Sequence, residues 1–231
     1  EVTLSVLDTE LNVVTSSCSS PVYQETRAIV SGMWVCGAES TDVVDLTDVS
    51  TISSSDTAIV TVSDNIVSGV DVGSCTLSIP TGSSVSMSVT SATVSATSMF
   101  AAVINYISIE RSFSASSVDY IGSTQLRAEA GQSLTAEGDV AHVFSYVVFS
   151  DDSVMHVSDD TVLSSFDTDY VQPVSGDAQA VELVEGALSI QSQFLVEALW
   201  TLCGEPVIVG RPWLNISMPG VSSVEVSSDV D

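Results

Sequence analysis

Apolar residues alternate with Ser and Thr along much of the chain, and clusters of Asp, Asn and Gly interrupt the alternation. The clearest example runs from Ile52 to Ile79 and reads ISSSDTAIVTVSDNIVSGVDVGSCTLSI. Its apolar runs, Ile59–Val62, Ile66–Val67 and Thr76–Ile79, are bounded by turn residues. A period of two is typical of half-buried strands, and β-branched residues fit a pleated sheet. No long window shows a helical period, so the pattern predicts an all-β fold.

Further strand candidates flank this stretch on both sides. Before it lie Val2–Leu7, Arg27–Val35 and Val43–Leu46, and far beyond it lie Ala180–Val184 and Leu188–Leu202. Periodicity alone leaves open whether the last two form an elaborated edge of one sandwich or a small extra sheet.

Two internal alignments indicate a repeat. Ile59–Asp64 matches Val154–Asp159 at a shift of 95 residues, and Leu77–Val85 matches Ile216–Val224 at a shift of 139 residues. The second match places a Pro after a strand in both copies, where Pro removes a ladder donor and stiffens a junction. These alignments predict tandem β-sandwich units that are joined by short linkers.

The two shifts differ, which implies an insertion in the second unit. We therefore expect a first unit over 1–82 and a second over 83–219, with about 44 extra residues after Val162 that form an inserted or elaborated edge. Residues 220–231 then begin a further unit.

The charge of the chain limits the classes of partner that it can bind. Thirty acidic residues stand against four basic ones, all Arg, and the formal net charge is −26 over 231 residues. Such a chain repels nucleic acid and anionic membrane surfaces. Four cysteines and one N-glycosylation sequon at Asn215 are typical of a secreted protein, and no signal peptide or transmembrane run is present. We expect a piece of a longer extracellular or cell-surface protein without direct membrane insertion.

The phrase from Ser53 to Ile79 resembles the C-terminal half of the bacterial Ig-like domain, group 2, which also occurs in extracellular proteins of algae. The similarity covers roughly residues 27–80 and again about 126–162. It implies tandem Ig-like β-sandwiches. A second phrase, Ala198–Gly204 followed by Asn215–Pro219, is similar to the repeat ends of algal mastigoneme proteins. That similarity implies a glycosylated, fibre-forming protein of the flagellar surface.

The Ig-like resemblance also implies a disulfide scheme. In that topology Cys36 and Cys75 lie at one end of the first sandwich, and Cys18 lies at the opposite end. Cys203 would then occupy a turn that faces the Cys18 end across a junction. The resemblance thus implies Cys36–Cys75 and Cys18–Cys203 bridges, and the alternative is that some cysteines are free or pair with another chain.

Candidate chemistry is scarce. The two histidines, His142 and His156, lie in no motif for Ser-His-Asp catalysis or zinc binding, and we expect no enzymatic activity and no cofactor. Calcium is the better metal candidate, because acidic turns supply oxygen ligands, and solvated turn carboxylates are the simpler interpretation. The acidic turns are Asp151-Asp152, Asp159-Asp160, and Asp167 with Asp169.

These observations favour a structural function. The expected partners are other copies or neighbouring Ig-like units, with glycans attached covalently at Asn215 and on Ser or Thr. The leading hypothesis is a segment of a glycosylated filament or surface fibre, such as a flagellar hair. The alternatives are the stalk of an adhesin that binds a receptor or glycan, and an accessory domain of a secreted carbohydrate-active enzyme. Trp34, Trp200 and Trp213 are interpreted as core or junction residues, with a sugar-binding platform as the alternative.

Overall fold

The computed structural model describes residues 1–16, 18–33, 35–36, 39–40, 43–115, 122–192 and 194–218. Over these residues the protein is nearly all β, with several sheets consistent with a β-sandwich architecture, so the predicted all-β fold class is confirmed. Trp34 lies outside the described residues, as does the segment 220–231 that was expected to begin a further unit. In the described part of the chain, no helix is long and apolar enough to cross a membrane.

The strands and two short 3₁₀ helices are named here in chain order. The first twelve strands and the first helix are β1 Val2–Val6, β2 Glu10–Thr15, β3 Val22–Tyr23, β4 Glu25–Gly32, β5 Val35–Cys36, β6 Glu39–Ser40, β7 Val44–Asp45, η1 Thr47–Val49, β8 Ser53–Ser54, β9 Val60–Ser63, β10 Ile66–Gly69, β11 Gly73–Ser78 and β12 Ser84–Thr93. The others are β13 Ala96–Ile104, β14 Tyr106–Ala115, β15 Gly122–Gly131, β16 Ser133–Leu134, β17 Val140–Phe149, β18 Val154–His156, η2 Ser158–Asp160, β19 Thr161–Ser165, β20 Val171–Pro173, β21 Ala180–Leu183, β22 Ile190–Ser192, β23 Val196–Leu202, β24 Glu205–Gly210 and β25 Leu214–Ile216.

The first compact unit comprises Glu1–Ser98 together with Val147–His156. One of its sheets has the order β1-β4-β10-β9, with β7 also on β4, and the other has the order β3-β2-β12-β11-β8. The strands alternate buried apolar and exposed polar residues, because each sheet has one face on the core. Fully buried core residues include Leu11, Ala28, Val30, Val60, Val67 and Leu77.

The second compact unit comprises Met99–Tyr146 and Val157–Asp231. Its core contains the fully buried residues Val103, Leu134, Val171, Val196, Ala198 and Leu214. The associated sheets are β13-β17-β21-β20, with β18 also on β17, and two of three strands each, β16-β25-β22 and β19-β23-β24. The order β13-β17-β21-β20 repeats that of β1-β4-β10-β9, and the parallel pair β16–β25 repeats the parallel pair β2–β12.

Turn hydrogen bonds show the register of this repeat. The carboxylate of Asp56 accepts the backbone N–H of Ala58 at 3.0 Å, and that of Asp167 accepts the N–H of Asp169 at 3.1 Å. The backbone carbonyls of the same two aspartates accept N–H groups three and four residues later. Asp56 and Asp167 therefore occupy equivalent positions, 111 residues apart.

A hydroxyl at the start of each 3₁₀ helix confirms this offset. The Thr47 Oγ1 accepts the N–H of Val30 at 2.9 Å, and the Ser158 Oγ accepts the N–H of Ser145 at 2.8 Å. Thr47 and Ser158 are also 111 residues apart. Strand β18 is thus equivalent to β7, whereas the 95-residue alignment had matched it with Ile59–Val62.

The segment around Pro80 is a hairpin turn within the first unit, where the sequence had indicated a linker. The N–H of Ile79 donates to the carbonyl of Ser83, and Gly82 has a φ of 95°, which glycine adopts without strain. Strands β11 and β12 pair in antiparallel register on either side of this turn. The first unit therefore continues to Ser98 beyond the expected boundary at residue 82.

The extra residues of the second unit also lie elsewhere than expected. The segment after Val162 continues β19 and forms β20 to β23. These strands belong to the sheets of the second unit itself, so the segment is not an insertion. In the first unit only Leu7–Thr9 separates β1 from β2, whereas β13 and the equivalent strand β16 are separated by a long segment that contains β14 and β15. These two strands form a separate two-stranded sheet with ten paired positions, from Tyr106↔Gly131 to Ala115↔Gly122.

Candidate functional site

The most connected polar cluster of the first unit is centred on Asp151. This residue lies in the tight turn between β17 and β18, where Asp152 has a φ of 65° and the N–H of Phe149 donates to the carbonyl of Ser153. The Asp151 Oδ1 accepts the N–H of Ser153 at 3.1 Å and its hydroxyl at 2.7 Å. The turn thus presents the carboxylate in a fixed orientation.

Two buried amides donate to this carboxylate. The Asn12 Nδ2 and the Gln24 Nε2 lie 3.0 Å and 3.1 Å from the Asp151 Oδ2, and Gln24 also donates to the Ser153 hydroxyl. Asn12 and Gln24 are only 6% and 2% exposed. Their amide oxygens are also satisfied, because the Gln24 Oε1 accepts the N–H of Asn12 at 2.8 Å and the Asn12 Oδ1 accepts the Thr90 hydroxyl at 2.6 Å.

The electrostatics of the cluster keep Asp151 ionised. Partial burial raises the pKa of its carboxyl, and hydrogen bonds from Ser153, Asn12 and Gln24 outweigh that effect, so the pKa lies below its usual value. Its two oxygens are occupied by donors from the side chains and from the turn. The carboxylate therefore satisfies buried amides, and this arrangement stabilises the fold of the first unit.

The other acidic turns use their carboxylates locally. Asp159 accepts a hydrogen bond from the Gln179 side chain, and Asp167 caps the N–H of Asp169. Within the described ranges, no group of three or more His, Cys, Asp or Glu side chains comes together as a metal site. The turns that were candidate calcium ligands are thus not assembled into a common site there.

The glycosylation candidate Asn215 lies on β25, the central strand of the sheet β16-β25-β22. Its side chain is half-buried, and its Nδ2 donates to the Ser133 hydroxyl at 2.8 Å. Attachment of a sugar replaces one of the two hydrogens on Nδ2, so a glycosylated Asn215 retains a hydrogen for this bond. Ser217 of the sequon is exposed.

Hydroxyl groups cover the outer face of β8, β11 and β12 in the first unit. The strands pair so that Ser74 lies opposite Ser88, Thr76 opposite Ser86, and Ser78 opposite both Ser84 and Ser53. The intervening residues of β11 and β12 face the core. This hydroxyl face, defined here as Ser53, Ser55, Ser74, Thr76, Ser78, Ser84, Ser86 and Ser88, has no charged side chain at these positions of β8, β11 and β12, and the exposed Glu10 of the neighbouring strand β2 lies opposite Ser88.

The outer face of the equivalent sheet β19-β23-β24 is different. Val162, Leu199 and Val209 lie side by side across the three strands, and Val162 is 55% exposed. Next to them, the Arg211 guanidinium pairs with the Glu197 carboxylate at 3.0 Å and lies 5.3 Å from the centre of the Phe166 ring. Equivalent sheets of the two units thus offer chemically distinct surfaces.

The cysteines confirm one predicted bridge and exclude the other from this structure. Cys18 and Cys203 form a disulfide. Cys203 occupies the two-residue turn between β23 and β24, as predicted, with a φ of 55°. Cys75 is a buried free thiol, so the expected Cys36–Cys75 bridge is not formed. The reason is that Cys75 is at an inward-facing position of β11 and packs in the core beside Leu77.

The two histidines are exposed, and the two described tryptophans differ in burial. His156 is exposed on β18, and the exposed His142 lies 3.4 Å from the Asp177 carboxylate. Trp200 is completely buried, in agreement with a core role, whereas Trp213 is 54% exposed.

Sequence reasoning missed Asn12, Gln24 and the hydroxyl face. The hydroxyl face had a readable signal, because Ser-x-Thr-x-Ser at 74–78 and Ser-x-Ser-x-Ser at 84–88 place every hydroxyl on one side of a strand. No comparable sequence signal marked Asn12 and Gln24, because their carboxylate partner is more than a hundred residues away in the chain. No protein-family model matches the chain, and a search of curated proteins returned no match.

Proposed function

We propose that the chain is a segment of a tandem Ig-like extracellular protein that builds a glycosylated filament or surface fibre. The observation that carries the proposal is the repeated sheet order, β1-β4-β10-β9 and β13-β17-β21-β20. This order corresponds to the A-B-E-D sheet of Ig-type sandwiches. Stacked units of one kind give a fibre its length, because each unit contacts mainly its neighbours.

Two further features support the extracellular setting. A disulfide between Cys18 and Cys203 persists in oxidising compartments. The hydroxyl face offers exposed Ser and Thr at alternate positions, about 6.8 Å apart along each strand, as acceptors for O-linked sugars. Asn215 supplies an acceptor for an N-linked glycan in the second unit.

Electron microscopy of the native assembly, labelled with an antibody against this chain, tests the proposal. We expect labels at regular intervals along a filament. Labels on isolated rods that project from a cell surface would contradict it and would favour the stalk of an adhesin.

The glycans are tested separately by the intact mass of the secreted chain. We expect a loss of mass on enzymatic removal of N-glycans that is absent in the Asn215→Gln variant. Chemical release of O-glycans is expected to leave modified sites among the eight residues of the hydroxyl face. A chain whose mass equals that of its unmodified sequence would refute glycosylation.

A further inference from the structure

An exposed tryptophan, Trp213, lies two residues before the glycosylation candidate Asn215. From Gly210 to Ser217 every second residue is buried, and these residues are Gly210, Pro212, Leu214 and Ile216. This alternation is that of an extended segment, in which the intervening side chains lie on the outer face. Trp213 and Asn215 therefore share that face, with their Cα atoms about 6.7 Å apart.

The ring of Trp213 is open to a ligand. The residue is 54% exposed, which leaves on the order of 100 Å² of its side chain accessible. Within the described ranges the ring stacks on no aromatic side chain and no guanidinium. Arg211, the preceding residue on the outer face, lies over the Phe166 ring and pairs with Glu197 instead. A large apolar surface thus lies beside the acceptor for a glycan.

The neighbours of Asn215 across the sheet are polar and uncharged. The register places the exposed Gln191 opposite Asn215 on one side and Ser133 on the other. The Asn215 Nδ2 donates to the Ser133 hydroxyl at 2.8 Å, and a glycosylated Asn215 retains a hydrogen for this bond. The bond fixes the point from which a first sugar extends.

We propose that the first N-acetylglucosamine of a glycan on Asn215 packs against the ring of Trp213. One face of this pyranose carries alternate C–H groups, and the negative face of an aromatic ring attracts them. The exposed amide of Gln191 offers the donor and the acceptor that the acetamido group of the sugar requires. The inference rests on the proposed glycosylation of Asn215 and is independent of filament formation.

The covalent link allows a weak contact to matter. A sugar that is tethered two residues away reaches Trp213 at an effective concentration in the millimolar range, so no further partner is required. The folded segment holds both residues on one face, and the contact therefore stabilises the folded second unit. Stacking of this kind is expected to change the unfolding equilibrium constant about fivefold. For a chain of this size the corresponding shift of the unfolding midpoint is about 2–4 °C.

Thermal unfolding of the secreted chain in a double-mutant cycle tests the proposal. Ser217→Ala abolishes the sequon and keeps Asn215, whereas Trp213→Ala removes the ring and keeps the sequon. We expect Ser217→Ala to lower the midpoint by about 2–4 °C when Trp213 is present and by less than about 1 °C in the Trp213→Ala background. Trp213→Phe keeps an aromatic face and is expected to keep most of the difference.

The matched control is Phe100→Ala, at a 50%-exposed aromatic residue on β13 of the same unit. In that background Ser217→Ala is expected to have its full effect on the midpoint. Quenching of tryptophan fluorescence by acrylamide provides a second measurement. Loss of the glycan is expected to increase quenching in the chain that contains Trp213 and to leave it unchanged in Trp213→Ala.

Two results would overturn the proposal in a chain whose intact mass shows the glycan. One is an equal effect of Ser217→Ala with and without Trp213, and the other is quenching that does not respond to loss of the glycan. In both cases glycosylation of Asn215 stands and only the contact with Trp213 fails. An intact mass without a sugar on Asn215 would refute the glycosylation itself and the contact with it.

Discussion

The cluster around Asp151 gives the sharpest test of the structure. Replacement of Asp151 by Asn exchanges one carboxylate oxygen for an NH₂ group, which then faces the amide donors of Asn12 and Gln24. Each buried donor that loses its acceptor costs about 1–3 kcal/mol. Because Asp151 itself is exposed, water reaches part of the vacated space. We therefore expect the free energy of unfolding to fall by about 1–2 kcal/mol.

The neighbouring residue Asp152 supplies the matched control. It is exposed and has a φ of 65°, which Asn adopts as readily as Asp. Asp152→Asn is expected to change the free energy of unfolding by less than about 0.5 kcal/mol. Guanidinium unfolding followed by circular dichroism measures both variants, and hydrogen exchange of peptides that cover β2 and β4 localises the effect.

The same comparison has a pH dependence with a definite sign. The pKa of Asp151 is lowered in the folded state, so its contribution is present above the usual value of 3.8 and is lost as the pH falls through the folded-state pKa. The stability difference between wild type and Asp151→Asn should hold at neutral pH and shrink below 3.8. A difference that is unchanged in acid, or no larger than that of Asp152→Asn, would refute the role assigned to the carboxylate.

Four other substitutions test single contacts of the fold by the same unfolding measurement. Thr47→Val and Ser158→Ala each leave a buried backbone N–H without its hydroxyl acceptor and should each cost about 1–3 kcal/mol; a loss in only one of them would contradict the structural equivalence. Asn65 has a φ of 66° in the turn between β9 and β10, and Asn65→Ala should cost about 1 kcal/mol, whereas an unchanged stability would argue against that turn. Cys18→Ser should lower the free energy of unfolding by about 2–5 kcal/mol, and peptide mapping of the non-reduced wild type that failed to link Cys18 to Cys203 would contradict the bridge.

Some strands could be predicted because alternation reflects the pleat directly, whereas β13, β14, β15 and β17 were not among the candidates. Arg27–Val35 and Thr76–Ile79 were located within a few residues of β4 and β11. Strand β2 was missed, because Leu11, Asn12 and Val13 are all buried and the alternation is lost. The alternation of β11 itself places Cys75 on the buried face with Leu77, which argues against the predicted Cys36–Cys75 bridge.

The register of the repeat could not be obtained from alternation. Any two strands of this composition match each other, so a 95-residue shift fits as well as the correct one. Turn chemistry is more specific: Asp56-Thr57 and Asp167-Thr168 each precede an apolar pair that ends in Val60 or Val171. That signal gives the 111-residue offset. The position of the β14–β15 hairpin had no such signal, because its strands alternate like the rest.

The discontinuous first unit has a consequence for biosynthesis. Residues 1–98 leave the ribosome well before Val147–His156, which contain the acceptor for Asn12 and Gln24. The 58 residues from Met99 to His156 take about 3–12 s to translate at ~5–20 residues per second. For that interval the amides of Asn12 and Gln24 lack their carboxylate acceptor, and a chaperone or a neighbouring nascent chain has access to the incomplete surface.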